Sequence, residues 1–180
     1  MSRRRIVIVG ASLAGATAAA SLREDGFDGE IHLIGAEAHL PYNRPPLSKG
    51  YLRRQEHFED QLLKPADYCA EQRIDLRLGT LATAIDAKQK FVDLEDGERV
   101  RYDRLLVATG GRNRTPSVPG ASLEGVFQLR TVEDCDRSGD PEDPKADGEL
   151  KAAVNLVRQR AAKLADEDVD LHRLVVATLR

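Results

Sequence analysis

The residues best suited to chemistry lie near the start of the chain, where "IVIVGASLAG" empties a run of β-branched side chains into glycine, serine and alanine. Gly10-x-Ser12-x-x-Gly15 has the spacing of a dinucleotide-binding turn, with serine in the middle position. Gly10 permits the tight turn, Ser12 is small enough for a pyrophosphate to approach the backbone, and Gly15 lets helix and strand close on one another. The N–H groups of Leu13, Ala14 and Gly15 would stand at a helix start, where they lack intrahelical acceptors and share the positive end of the helix dipole. Glu37 follows 22 positions after Gly15, close to the offset of about 20 at which a carboxylate binds ribose hydroxyls. Its charge disfavours a 2′-phosphate and therefore NADP, whereas the turn alone does not separate NAD from FAD.

Such a turn works only between a strand and a helix. Arg5 to Val9 is almost wholly apolar and β-branched, as expected of a parallel strand buried on both faces. Leu13 to Glu24, "LAGATAAASLRE", reads as a helix stopped by Gly26, and its small side chains suit close packing on a sheet. Glu30 to Glu37 reads as a second strand that ends on the acidic residue, completing a βαβ unit. Pro41, Pro45 and Pro46 then stiffen a loop that leads into a short helix from about Leu47, and Pro65 opens another through "PADYCAEQR". "DLRLGTLATAID", "KFVDL" and "EDGERVRY" read as a small antiparallel meander with an Asp96-Gly97 turn. "YDRLLVATGG", Tyr102 to Gly111, returns to a buried strand ending in glycine. The fold class is α/β, a Rossmann-like parallel sheet with a small antiparallel β-meander.

Composition sets the outer bounds. With 180 residues, 41% of them hydrophobic, the chain supports one core more readily than two. A net charge of -3 gives no reason for binding nucleic acid or an anionic membrane. The basic start "MSRRR" precedes too short an apolar run for a signal peptide, and a cytoplasmic location is expected. Cys69 and Cys135 belong to no C-x-x-C, and the four histidines form no ligand-spaced pair, so thiol redox chemistry and a metal centre are not indicated. From Ser138 the texture changes: 138–149 is polar and acidic and reads as a linker. Residues 150–180 follow as an amphipathic helix and a possible strand of unknown role.

One further stretch separates FAD from NAD. "LPYNRPPLSKGYL", together with "VGASLAG" and "LLVATGGRNRTPSVPG", resembles the amino-terminal FAD domain of the ferredoxin reductase group in the pyridine nucleotide-disulfide oxidoreductase superfamily. The resemblance covers residues 4–137, so that residues 1–137 would form the FAD domain. It implies that Gly10, Ser12, Leu13, Ala14 and Gly15 surround the FAD pyrophosphate and that Glu37 binds the adenosine ribose. It further implies that Arg44 and Lys49 contact the cofactor, Lys49 beside the isoalloxazine ring, and that Thr109, Gly110 and Arg114 pass near it. Cations there would stabilise the charge that grows on a flavin as it is reduced. The loop departs from the group at Asn43, where aspartate is usual, which removes one charge.

The group implies an oxidoreductase that takes electrons from NADH and delivers them to an iron-sulfur ferredoxin-type partner. Its second glycine-rich turn for NADH, its later G-D strand and its carboxy-terminal domain have no counterpart motif here, so the chain is expected to be a truncated version. No catalytic residue is assigned. Two readings stand: an FAD-dependent ferredoxin reductase or its FAD-binding part, and a non-catalytic flavin- or nucleotide-binding module from a truncated or frameshifted gene. A plain NAD-binding domain is a third.

Overall fold

Arg5–Val9 forms strand β1, and hydrogen bonding on both of its edges puts it inside a parallel sheet. The computed structural model describes residues 4–114, 121 and 128–138. The chain divides into two compact units, Met1–Arg112 and Asn113–Arg180. In the first, helix α1 (Leu13–Glu24) follows β1 and leads to β2 (Glu30–Ile34). Two short 3-10 turns, Pro45–Ser48 and Glu59–Gln61, precede helix α2 (Tyr68–Glu71). Strands β3 (Ile74–Arg77), β4 (Ala82–Asp86), β5 (Phe91–Leu94), β6 (Arg99–Arg101) and β7 (Arg104–Val107) complete the unit.

The main sheet has the order β3-β2-β1-β7, with every pairing parallel. Side chains alternate across β1 and feed two cores. Val7 and Val9 join Ile34 against Val92, Leu94, Val100 and Tyr102 of the meander side, while Ile8 joins Ile31, Leu33 and Ile74 against Ala16 and Ala19 of α1. The antiparallel meander is β4-β5-β6, turned at Gly97, whose φ of +87° suits glycine.

The expected βαβ start and the α/β class with its meander are present. Several local expectations need correction. Asp75–Arg77, the start of the stretch assigned to the meander, instead continues from Ile74 as a parallel strand beside β2: Ile31, His32, Leu33 and Ile34 face Ile74, Asp75, Leu76 and Arg77. The second strand stops at Ile34, so Glu37 lies beyond it in a bend. The helix expected through "PADYCAEQR" is helical only over Tyr68–Glu71, after a Pro65 turn, and Arg73 at φ +53° ends it. β7 was expected to be buried, yet Leu106 and Val107 are 39% and 55% exposed, because among the described residues it pairs on one edge only.

Arg23 sets where β3 lies. Its guanidinium donates to the carbonyls of Gln72 (2.8 Å) and Arg73 (2.8 Å), and also to those of Phe27 (2.5 Å) and Gly29 (2.9 Å). The end of α1, the entry to β2 and the entry to β3 are thereby tied to one side chain. Burial, and then the neighbouring Arg73 charge, hold the Arg23 pKa below its ordinary value.

In the second unit, helix α3 (Val132–Ser138) opens on a reciprocal cap. Thr131 Oγ1 accepts from Asp134 N (3.2 Å) and Asp134 Oδ2 accepts from Thr131 N (3.1 Å), the arrangement of a capping box. The linker 138–149 and the segment 150–180 lie outside the described residues, apart from Ser138, the last residue of α3.

Candidate functional site

The chain builds outward from β1 through β2 to β3, then returns to the other side of β1 as β7. Where the order of an open parallel sheet reverses, the loops leaving neighbouring strands part in opposite directions and leave a crevice at their carboxyl ends. Here that crevice lies beyond Val9 and Val107. One wall is Gly10 to Gly15, the other Ala108 to Gly110.

The backbone at this point has no room to spare. Gly10 takes φ +113°, and a Cβ on it would land on the carbonyl oxygen of Ala108. A Cβ on Gly15 would land on the carbonyl oxygen of Gly10, and one on Gly35 would meet the Ala11 methyl at 2.6 Å. Gly10 N donates to Ile34 O (2.8 Å) and Ala108 N to Val9 O (2.7 Å), which fixes both loops to the sheet. Ser12 is the N-cap of α1 in extended conformation, and its side chain caps nothing. Its carbonyl accepts the first helical bond, from Ala16 N at 2.9 Å, so the N–H groups of Leu13, Ala14 and Gly15 precede the ladder. Leu13 and Ala14 are exposed, as are Thr109 and Gly110 opposite. A shaped turn with uncapped helical N–H groups and no space for added carbon fits a pyrophosphate.

Glu37 is held from several directions. Its main-chain oxygen accepts from Gly79 N (2.9 Å), and Gly35 on the same bend exchanges bonds with Arg77 and Thr80. Its carboxylate receives the Tyr42 hydroxyl on Oε2 (2.6 Å) and the Arg44 guanidinium on Oε1. Arg44 Nη1 also reaches the Tyr42 hydroxyl (3.2 Å), and the guanidinium lies 5.2 Å from the Tyr42 ring centroid. The Glu37 side chain nevertheless remains 33% exposed.

The proline loop has the fixed shape its composition suggests. Tyr42 bridges Leu62 in antiparallel fashion, Asn43 N donates to Gln61 O (2.8 Å) and Leu63 N to Pro41 O (2.9 Å). Leu47 anchors the 3-10 turn at 2% exposure, and Phe58 packs edge-on against both His39 and Tyr42. Lys49 is exposed at the end of that turn.

The structure thus brings Gly10, Ser12, Leu13, Ala14, Gly15, Thr109 and Gly110 to one crevice, and joins Arg44 directly to Glu37. Arg114 is exposed and belongs to the second unit. Sequence reasoning did not select Tyr42; the only available signal was an aromatic residue between two members of the motif. A small, partly open apolar cavity of about 20 Å³ lies elsewhere, beneath α1 and lined by Ala16, Ala19, Leu33, Leu63, Tyr68 and Cys69. That is too small for a nucleotide. Burial there pushes the Cys69 thiol pKa up, so it is less ionised than an ordinary cysteine.

Comparison with known proteins agrees with this fold. The family model described as pyridine nucleotide-disulphide oxidoreductase matches residues 4–177, beyond the point where the sequence motifs end. Rhodocoxin reductase of Rhodococcus erythropolis is 48% identical over 127 residues, which is 71% of this chain and 30% of that protein. The 3-phenylpropionate/cinnamic acid dioxygenase ferredoxin–NAD(+) reductase component of Photorhabdus laumondii is 44% identical over 137 residues, 76% of this chain and 34% of that one. Among solved structures, the covalent putidaredoxin reductase–putidaredoxin complex aligns with a TM-score of 0.69 at 41% identity, covering 76% of this chain and 33% of that one. The chain spans about a third of the length of the curated relatives it matches.

Proposed function

Because the chain belongs to the pyridine nucleotide-disulphide oxidoreductase family, we propose that it is the FAD-binding part of an NADH-dependent ferredoxin reductase. The crevice at the reversal of strand order carries the proposal, since its turn combines tight glycines with uncapped helical N–H groups that start at the exposed Leu13 and Ala14. The reductase names of the relatives supply the reaction class.

In this reading the N–H groups of Leu13, Ala14 and Gly15 bind the FAD pyrophosphate, and Ser12 leaves the backbone accessible to it. Glu37 accepts from the adenosine ribose hydroxyls. Arg44 orients and neutralises Glu37 and contributes positive charge to the same end of the site. Thr109 and Gly110 form the opposite wall, with Lys49 as a further cofactor contact. Bound FAD accepts a hydride and releases single electrons, which allows a two-electron donor, NADH, to serve a one-electron iron-sulfur partner. A cytoplasmic setting belongs to the same proposal and is supported by the free thiol of Cys69.

The test is anaerobic titration with FAD followed by NADH. Uptake of FAD with a yellow absorbance, then bleaching on NADH, is the expected result for a reductase. Uptake without bleaching supports the second reading, a flavin-binding module without turnover. Failure of the folded chain to take up FAD at millimolar concentration overturns both.

A further inference from the structure

We propose that Tyr42 is the positioning residue of the ribose-binding carboxylate: its hydroxyl fixes the plane of the Glu37 carboxylate, so that two acceptor sites face the adenosine hydroxyls. The inference rests on the reading of Glu37 given above and adds a residue that reading does not contain.

The geometry shows how the hydroxyl works. It donates to Glu37 Oε2 at 2.6 Å and accepts from Arg44 Nη1 at 3.2 Å, so both its donor and an acceptor lone pair are engaged and its rotor has one orientation. The ring is 4% exposed, lies edge-on to Phe58 at 5.5 Å, and its backbone is bridged to Leu62. A buried aromatic side chain on a pinned backbone is a rigid reference point. Glu37 is a flexible side chain at 33% exposure, and a flexible side chain loses rotamer freedom when it binds. Fixing it beforehand removes that cost from the binding step.

Arg44 alone does not fix the carboxylate, because it bonds Oε1. The tyrosine holds the other oxygen and sets the rotation about the last bond. An ionised carboxylate offers about four lone-pair sites. Tyr42 and Arg44 take one on each oxygen, and among the described residues no further donor to this carboxylate is present. What is left matches the two hydroxyls of a ribose.

The experiment compares FAD with an analogue whose adenosine lacks both ribose hydroxyls, measured by flavin fluorescence on the full chain. Tyr42→Phe keeps the ring, and a thermal melt of the apoprotein checks that it folds. FAD affinity should fall about 3- to 10-fold in Tyr42→Phe while affinity for the analogue changes less than about twofold, the size expected for one hydrogen bond acting through the hydroxyls. In a Glu37→Ala background, Tyr42→Phe should change FAD affinity less than about twofold, since the group it positions is gone. Equal weakening of both ligands by Tyr42→Phe, or no weakening of either, overturns the positioning role. If Glu37→Gln weakens FAD and the analogue alike, the ribose reading fails and the proposal with it. Discrimination by Glu37→Gln but not by Tyr42→Phe overturns the role of Tyr42 alone.

Discussion

Two strands of the sheet end almost alike in sequence, "IVIVG" and "LLVATG", and their surroundings are opposite. Val7 and Ile8 of β1 are 0% exposed, whereas Leu106 and Val107 of β7 are 39% and 55% exposed. β1 has a strand on each edge, α1 against one face and the meander against the other; β7 pairs only with β1 among the described residues. An apolar β-branched run thus marks a parallel strand without fixing its rank in the sheet. The glycines that follow differ in the same sense. Gly10 abuts the backbone of Ala108, and Gly110 sits in an exposed segment at φ +68°.

The strongest way to break this comparison is to truncate both strands. Ile8→Ala removes a fully buried side chain between α1 and the sheet, and should cost about 2–5 kcal/mol in urea unfolding. Val107→Ala, at 55% exposure, should stay within about 0.5 kcal/mol. Equal losses would mean that β7 is as enclosed as β1. The next effect is expected at the glycines. Gly10→Ala places a methyl on the Ala108 carbonyl in a positive-φ backbone, and should cost about 1–3 kcal/mol and abolish FAD uptake. Gly110→Ala, at φ +68°, incurs the left-handed penalty of about 1 kcal/mol and should weaken uptake without eliminating it. Calorimetry on the apoproteins and FAD titration measure the two parts separately.

What the sequence made legible follows the same division between local and distant causes. β1 and α1 have the expected bounds, Arg5–Val9 and Leu13–Glu24, because a β-branched run, a glycine turn and an alanine-rich helix are each decided by neighbours in the chain. The fate of Ile74–Arg77 was not legible. Its alternating residues suit a meander equally well, and its place beside β2 depends on Arg23, 49 and 50 positions before the carbonyls it binds in Gln72 and Arg73. The exposure of β7 was hidden for the same reason, since only the strand order reveals an edge. At the site, the glycine turn and Glu37 could be read from spacing. The joining of both Arg44 and Tyr42 to Glu37 could not, because it depends on how a proline loop bends and on its bridge to residues 61–63.

The smallest predicted effect concerns the opposite ends of β1 and β7. Arg5 N donates to Asp103 Oδ2 (2.7 Å) and Asp103 N returns a bond to Arg5 O (2.9 Å), while the Arg5 guanidinium binds Glu30 at 2.5 Å. The Arg5 N–H holds the Asp103 carboxyl below its ordinary pKa, and the Arg5 side chain does the same for Glu30. A carboxyl with a lower pKa in the folded state stabilises that state fully above its unfolded pKa, and loses the contribution as pH falls through the folded one. Thermal stability should therefore be flat near neutrality and decline on acidification below about pH 4, the ordinary carboxylate range. Both groups are solvent-accessible, so added salt should reduce the Glu30 part, which depends on a charge pair, more than the Asp103 part, which depends chiefly on a backbone donor. Asp103→Asn keeps an oxygen for Arg5 N but cannot titrate. It should leave the melting temperature at neutral pH nearly unchanged and make the acid decline shallower; an unchanged acid limb would show that this junction of β1 and β7 does not set the acid response.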